Sequence, residues 1–172
     1  AGAARSGTEA LARLAEPRTH AIMRHALAPG TGDPAVFRLR DCATQRNLDA
    51  RGREQARRAG ALLRAEGARI DAVLSSQWCR CLDTARLLDL GAVEEEPALN
   101  SFFEDRSRRD PQTRALRARL AATPPGRTLM LVTHFVNISA LTGRGVRSGE
   151  IVVFRTDESG VAEAIGAVEV PV

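Results

Sequence analysis

Residues 19–25 read Thr-His-Ala-Ile-Met-Arg-His and residues 128–134 read Thr-Leu-Met-Leu-Val-Thr-His. Each is a short apolar run that breaks off at a His, the pattern of a buried strand rather than a helix. A third run, Ile70 to Leu74, closes at Ser75-Ser76, with Arg80 shortly beyond. Between these runs the periodicity is helical. Leu48 to Glu66 carries Ala56, Ala59 and Leu63 on one face and Arg53, Arg57 and Arg64 on another, with Asp49 as N-cap and Gly67 as the stop. Further helices are predicted from Cys79 to about Leu90, from Asp110-Pro111 through Ala122, and after His134 to about Leu141. Ile151 to Arg155 and Val161 to Val170 read as two final strands joined at Asp157–Gly160, whereas residues 28–47 and 91–110 read as loops. Strands alternating with helices predict an α/β domain, a three-layer α/β/α sandwich with a mostly parallel central sheet.

The chain has 172 residues, the size of one domain spanning 1–172, with residues 1–18 as an N-terminal helical extension ending near Pro17. Hydrophobic residues make up 44% and charged residues 27%, the balance of a folded soluble domain rather than a disordered chain. No apolar run approaches the ~20 residues of a membrane span. The 25 basic residues are all Arg and face 21 acidic ones, for a net charge of +4. They are interleaved with Glu and Asp, and aromatics are only 3%, so neither the basic stripe nor the stacking platforms of a nucleic-acid surface are present.

In open α/β sheets, ligands bind beyond the carboxyl ends of the strands. Arg24-His25, Arg80 and His134 all fall at predicted strand ends, so two imidazoles and two guanidiniums should converge there. That set is matched to a dianion. Arg offers a planar fork of donors that pairs with phosphate oxygens and keeps its charge. A neutral imidazole is a competent nucleophile near pH 7. Phosphoryl transfer needs mainly positioning and charge stabilisation, so the set requires no metal or other cofactor. The three His lack metal-ligand spacing, and His20 reads as a structural residue of the first strand. Ser75-Ser76 reads as a strand-end and capping device, because no nucleophile-elbow glycines surround it.

At these residues the chain resembles the histidine phosphatase, or phosphoglycerate mutase-like, superfamily. The resemblance rests on Met23-Arg24-His25, on Ser75-Ser76-Gln77-Trp78-Cys79-Arg80 followed by Thr84-Ala85, and on Val132-Thr133-His134 followed by Ile138 and Leu141-Thr142-Gly143. Asn47-Leu48 with Gly52, Gln55 and Ala56 is similar to the way a family helix opens. The resemblance implies a phosphoglycerate mutase-like fold and a small phosphatase acting through a phosphohistidine at His25. Arg24, Arg80 and His134 would cradle the phosphoryl group of a small-molecule phosphorylated substrate. Two positions depart from the pattern. Ala26 replaces the usual Gly, and Thr31 stands where relatives often place an Asn, its hydroxyl expected to donate to the phosphate. The familiar acidic proton donor has no clean counterpart. Glu104 is the nominee and Asp105 the second choice, and the alternative is a relative that binds phosphate or a phosphorylated partner without turnover. Arg38, Arg40 and Arg46 are expected to line the substrate's approach, and Phe102-Phe103 to pack its loop against the domain.

Cys42, Cys79 and Cys81 cannot all pair. They are either three reduced thiols or one bridge from Cys42 to Cys79 or Cys81. A Cys42–Cys79 bridge would pin the loop after His25 against the second motif. Together with the missing initiator Met, it carries the expectation of an exported, periplasmic protein, with the cytoplasm as the alternative.

Overall fold

The computed structural model describes residues 2–172, with side-chain surroundings from residue 7 onward. Six strands form one sheet: β1 (Thr19–Arg24), β2 (Ala72–Ser75), β3 (Val93–Glu95), β4 (Leu129–Thr133), β5 (Ile151–Thr156) and β6 (Ala162–Val168). The helices are α1 (Gly2–Ala12), α2 (Ala50–Ala65), α3 (Cys79–Leu87), α4 (Arg109–Ala121) and α5 (Phe135–Thr142). The sheet order is β3-β2-β4-β1-β5-β6. Its first four strands are parallel, and β5 and β6 join antiparallel.

The pleat of the strands sorts the core into two layers. Ala21, Met23, Val73, Met130, Val132 and Val153 face one side, where α1, α2 and α3 cover them through Leu11, Leu63 and Ala85. Ile22, Leu74, Leu129, Leu131, Val152 and Phe154 face the other, under Leu116 and Leu120 of α4 and Ile138 and Leu141 of α5. The result is the three-layer α/β/α arrangement that the alternation of strands and helices predicts.

Strand register aligns the chemistry-bearing ends. Arg24 of β1 lies opposite Thr133 of β4, and Val132 of β4 lies opposite Ser75 of β2. The three motifs therefore emerge side by side from neighbouring strands. The helix after the first motif packs directly beneath it: a Cβ on Gly52 of α2 would sit 1.9 Å from the Leu27 carbonyl oxygen, so only glycine fits. Gln55, one turn on, accepts from the Leu27 amide at 2.9 Å and donates to the Ser148 carbonyl at 2.8 Å.

Two features depart from the sequence-based expectation. β3 lies within a stretch read as loop, because Val93-Glu94-Glu95 is a half-exposed edge strand whose pairing comes from β2 rather than from its own hydrophobicity. α4 begins at Arg109, one residue ahead of Asp110, and has no side-chain cap, so Asp110 lies inside its first turn together with Pro111.

A disulfide joins Cys42 to Cys79 across a separation of 37 residues, and Cys81 remains a buried free thiol. The bond ties the loop of residues 28–47 to the start of α3, and Gln45 reinforces it by accepting from the Cys79 amide at 2.9 Å. Replacing both Cys42 and Cys79 by Ser should remove a stabilisation of about 3 kcal/mol. At this chain length that lowers Tm by roughly 6–12 °C in calorimetry. An unchanged Tm would mean that the loop is held by its polar contacts alone.

Candidate active site

His25 follows β1 and is buried, and its two nitrogens are committed to different partners. Nδ1 lies 2.9 Å from the Ala26 carbonyl oxygen, which can only accept, so Nδ1 carries the proton. Nε2 receives a hydrogen bond from Arg80 Nε at 3.2 Å. A guanidinium can only donate, so Nε2 holds the lone pair. Burial is the largest cause lowering the His25 pKa to about 3, and the charges of Arg80, Arg24 and Arg46 add to it. The imidazole is thus neutral, in the tautomer that leaves Nε2 basic.

Arg80 is buried at the start of α3. Its Nη1 donates to Asp33 Oδ1 at 2.9 Å and to the Arg46 carbonyl at 3.3 Å. Asp33 also receives the Arg46 amide at 3.1 Å and Trp78 Nε1 at 3.1 Å. Burial opposes the charge of Asp33, yet these bonds and the Arg80 cation hold its carboxyl below the ordinary range. Arg24 reaches the Val146 carbonyl through Nη1 at 3.1 Å, and its buried Nε has no partner among the described residues. Arg46 donates to the carbonyls of Gly32 and Ala28.

His134 opens α5 and is also buried, with its ring centroid 5.5 Å from that of His25. Its Nε2 bonds the Ser76 hydroxyl at 2.8 Å, and the Cys81 sulfur lies 3.5 Å from the same nitrogen. Burial first, then the neighbouring His25 ring and the charges of Arg80, Arg46 and Arg24, hold its pKa well below 6.5. Burial likewise pushes the Cys81 thiol up to about 12, so it stays protonated.

A cavity of about 740 Å³ opens over this edge of the sheet, and Arg24, His25, Arg46, Arg80 and His134 line it. Three guanidiniums against the single carboxylate of Asp33 make its base electropositive. Desolvated donors arranged in advance around such a base hold an anion strongly. Among the described residues no three His, Cys, Asp or Glu side chains gather as a metal-binding set.

The nominated residues fall into distinct places. Arg24, His25, Arg80 and His134 converge at the cavity base. Thr31 and Glu104 line its wall. Both are exposed, and neither makes a hydrogen bond or ion pair with the described residues. Asp105 also borders the cavity, but it caps a 3-10 turn by accepting from the Ser107 amide and hydroxyl, which lowers its pKa and makes it a poor proton donor. Arg46 lines the cavity as expected, whereas Arg38 and Arg40 lie outside it, pairing with Asp41 and Glu95. Phe102 is buried as expected, but Phe103 is 46% exposed and stands at the cavity rather than packing its loop down. Sequence reasoning missed Asp33 as a site residue. An acid in a Pro- and Gly-rich loop has no periodicity to single it out, and only the fold shows that it meets Arg80. Ser76, read as a cap, also orients His134.

Comparison with known proteins agrees with this geometry. The sequence profile of the histidine phosphatase superfamily (branch 1) matches residues 21–104, which hold the first two motifs. Over that segment the chain is similar to the histidine phosphatase superfamily. Solved structures share the fold. A putative alpha-ribazole-5'-P phosphatase from Escherichia coli superposes with TM-score 0.68 at 18% identity, covering 91% of this chain and 98% of that one. The protein histidine phosphatase SixA complexed with tungstate gives 0.62 at 18%, covering 88% and 96%. A mycobacterial glucosyl-3-phosphoglycerate phosphatase gives 0.61 at 17%, covering 89% and 98%. No curated protein matches the chain.

The three imidazoles set a pH dependence of stability. His20, whose Nδ1 accepts from the Leu129 amide at 3.0 Å, is lowered by burial to about 4, and burial lowers His25 and His134 likewise. In the unfolded chain each takes up a proton near the ordinary value of about 6.5. Below that pH the unfolded state therefore binds more protons than the folded one. Stability falls on acidification by up to about 1.4 kcal/mol per pH unit for each imidazole, until the folded pKa is reached. Imidazole proton resonances of the free protein should accordingly stay unshifted between pH 5 and 8. A titration midpoint near 6.5 for His25 or His134 would contradict a site built on buried, neutral imidazoles.

Proposed function

We propose that the chain hydrolyses phosphomonoesters through a phosphohistidine at His25, without a metal ion. The observation that carries this reading is the Nε2 lone pair of His25, fixed by its Nδ1 bond to Ala26 and pointed at Arg80 on the base of an electropositive cavity. Dianion binding draws Arg80 Nε from His25 to a phosphate oxygen, which frees Nε2 to attack phosphorus. The N–P bond forms as the P–O bond to the alcohol breaks, while Arg24, Arg46, Arg80 and His134 carry the charge of the equatorial oxygens. Glu104 gives its proton to the departing oxygen. Water, deprotonated by the same carboxylate, then attacks phosphorus, breaks the N–P bond and returns the pair to Nε2.

Glu104 takes this part because its carboxyl borders the cavity without a partner, whereas Asp105 is tied to Ser107. The Cys42–Cys79 bond supports work in an oxidising compartment such as the periplasm, where disulfides persist.

An aryl phosphate assay with and without chelator tests the reading. Wild-type turnover should resist chelator, and His25→Ala should lose at least about three orders of magnitude in kcat, in line with removal of a nucleophile. Glu104→Gln should slow esters of poorly departing alcohols more than esters of good leaving groups, by roughly 10²-fold or more. Phosphate binding without any turnover would instead favour a non-catalytic relative that senses a phosphorylated ligand.

A further inference from the structure

The cavity is far larger than a phosphoryl group needs; at about 740 Å³ it falls in the size range that holds a whole organic ligand. Its base is basic, and its walls carry aromatic rings beside the charged side chains of Glu104, Asp105, Arg106, Arg108 and Arg109. Phe37 stacks on Trp78 with ring centroids 5.0 Å apart and planes at 24°. Phe103 and Phe135, from two other segments of the chain, also line the cavity while remaining 46% and 43% exposed. Exposed apolar side chains gathered at one cavity mark a ligand-binding surface.

These rings are built into the phosphate site. Phe135 directly follows His134, and Trp78 stands two residues before Arg80 and donates to Asp33. The Arg24 guanidinium lies 5.7 Å from the Phe135 ring centroid, and Arg106 lies 5.3 Å from that of Phe103. Cation–π contacts of this kind hold a ring in place. Through Phe135, set over Arg24 and next to His134, the aromatic wall adjoins the phosphate cradle.

We infer that the alcohol released by this phosphatase carries a planar aromatic ring, and that Phe103 and Phe135 are the residues that select it. The inference rests on the phosphatase reading and narrows its substrate class from small anionic esters to aromatic ones. Aromatic pairs gain over simple area burial because the ring faces and edges carry opposite partial charge. A saturated ring of the same size buries similar area without that gain.

Phosphonates test this apart from turnover, because their P–C bond is not hydrolysed by this chemistry. Binding of methylphosphonate, cyclohexylmethylphosphonate and benzylphosphonate would be measured by calorimetry on wild type, Phe103→Leu and Phe135→Leu. Leu keeps apolar bulk and removes the ring, and both positions are exposed enough to tolerate it. Benzylphosphonate should bind wild type at least about tenfold more tightly than methylphosphonate and several-fold more tightly than the cyclohexyl compound. Either substitution should erase the margin over cyclohexyl. Equal binding of benzyl and cyclohexyl, or of all three, would overturn the inference while leaving the phosphatase reading intact. Failure of inorganic phosphate and of every phosphonate to bind would overturn both.

Discussion

The site depends on one hydrogen bond, from Arg80 Nε to His25 Nε2. It can exist only while the imidazole is neutral, because a protonated ring has no lone pair to offer. Burial and three neighbouring guanidiniums keep the ring in that state. A cation set beside a neutral base thus keeps the lone pair that the proposed mechanism needs and leaves the guanidinium ready for an anion. A bound dianion reverses the electrostatics: it takes the arginines' donors and favours protonation of His134, which is otherwise neutral.

Arg80 could not hold this place unaided. It is buried, and a buried cation without a partner is costly. Asp33 supplies that partner from the loop after His25. The loop is in turn fastened to the start of α3 by the Cys42–Cys79 bond, by Gln45 and by the stack of Phe37 on Trp78. The same contacts raise the cavity wall. The loop that completes the electrostatics of the cradle is therefore also the one that shapes what lies above it.

Much of this is legible in the chain. Three apolar runs ending at Arg24-His25, at Ser75-Ser76 and at Thr133-His134 encode both the parallel strands and the convergence of their ends, because strand pairing brings those ends into line. Residues that act across long separations leave no such mark. Asp33 and Arg80 are 47 residues apart, and nothing local pairs them. β3 is hidden because an edge strand of Val-Glu-Glu has no hydrophobic alternation of its own. Phe103 is hidden for a related reason: adjacent Phe residues look alike in sequence, yet the turn before α4 buries Phe102 and presents Phe103 to the cavity. The shared fold leaves the substrate open, since the solved structures that share it are phosphatases of different phosphorylated compounds.

The central claim is that His25 Nε2 is the atom that accepts the phosphoryl group. Rapid quenching into alkali during turnover, followed by peptide mass spectrometry, addresses it directly. The account predicts one phosphoryl group on the peptide containing His25, stable to base and labile to acid, and absent from His25→Ala. A phosphoryl group on His134 or Ser76, or turnover that persists undiminished in His25→Ala, would contradict it.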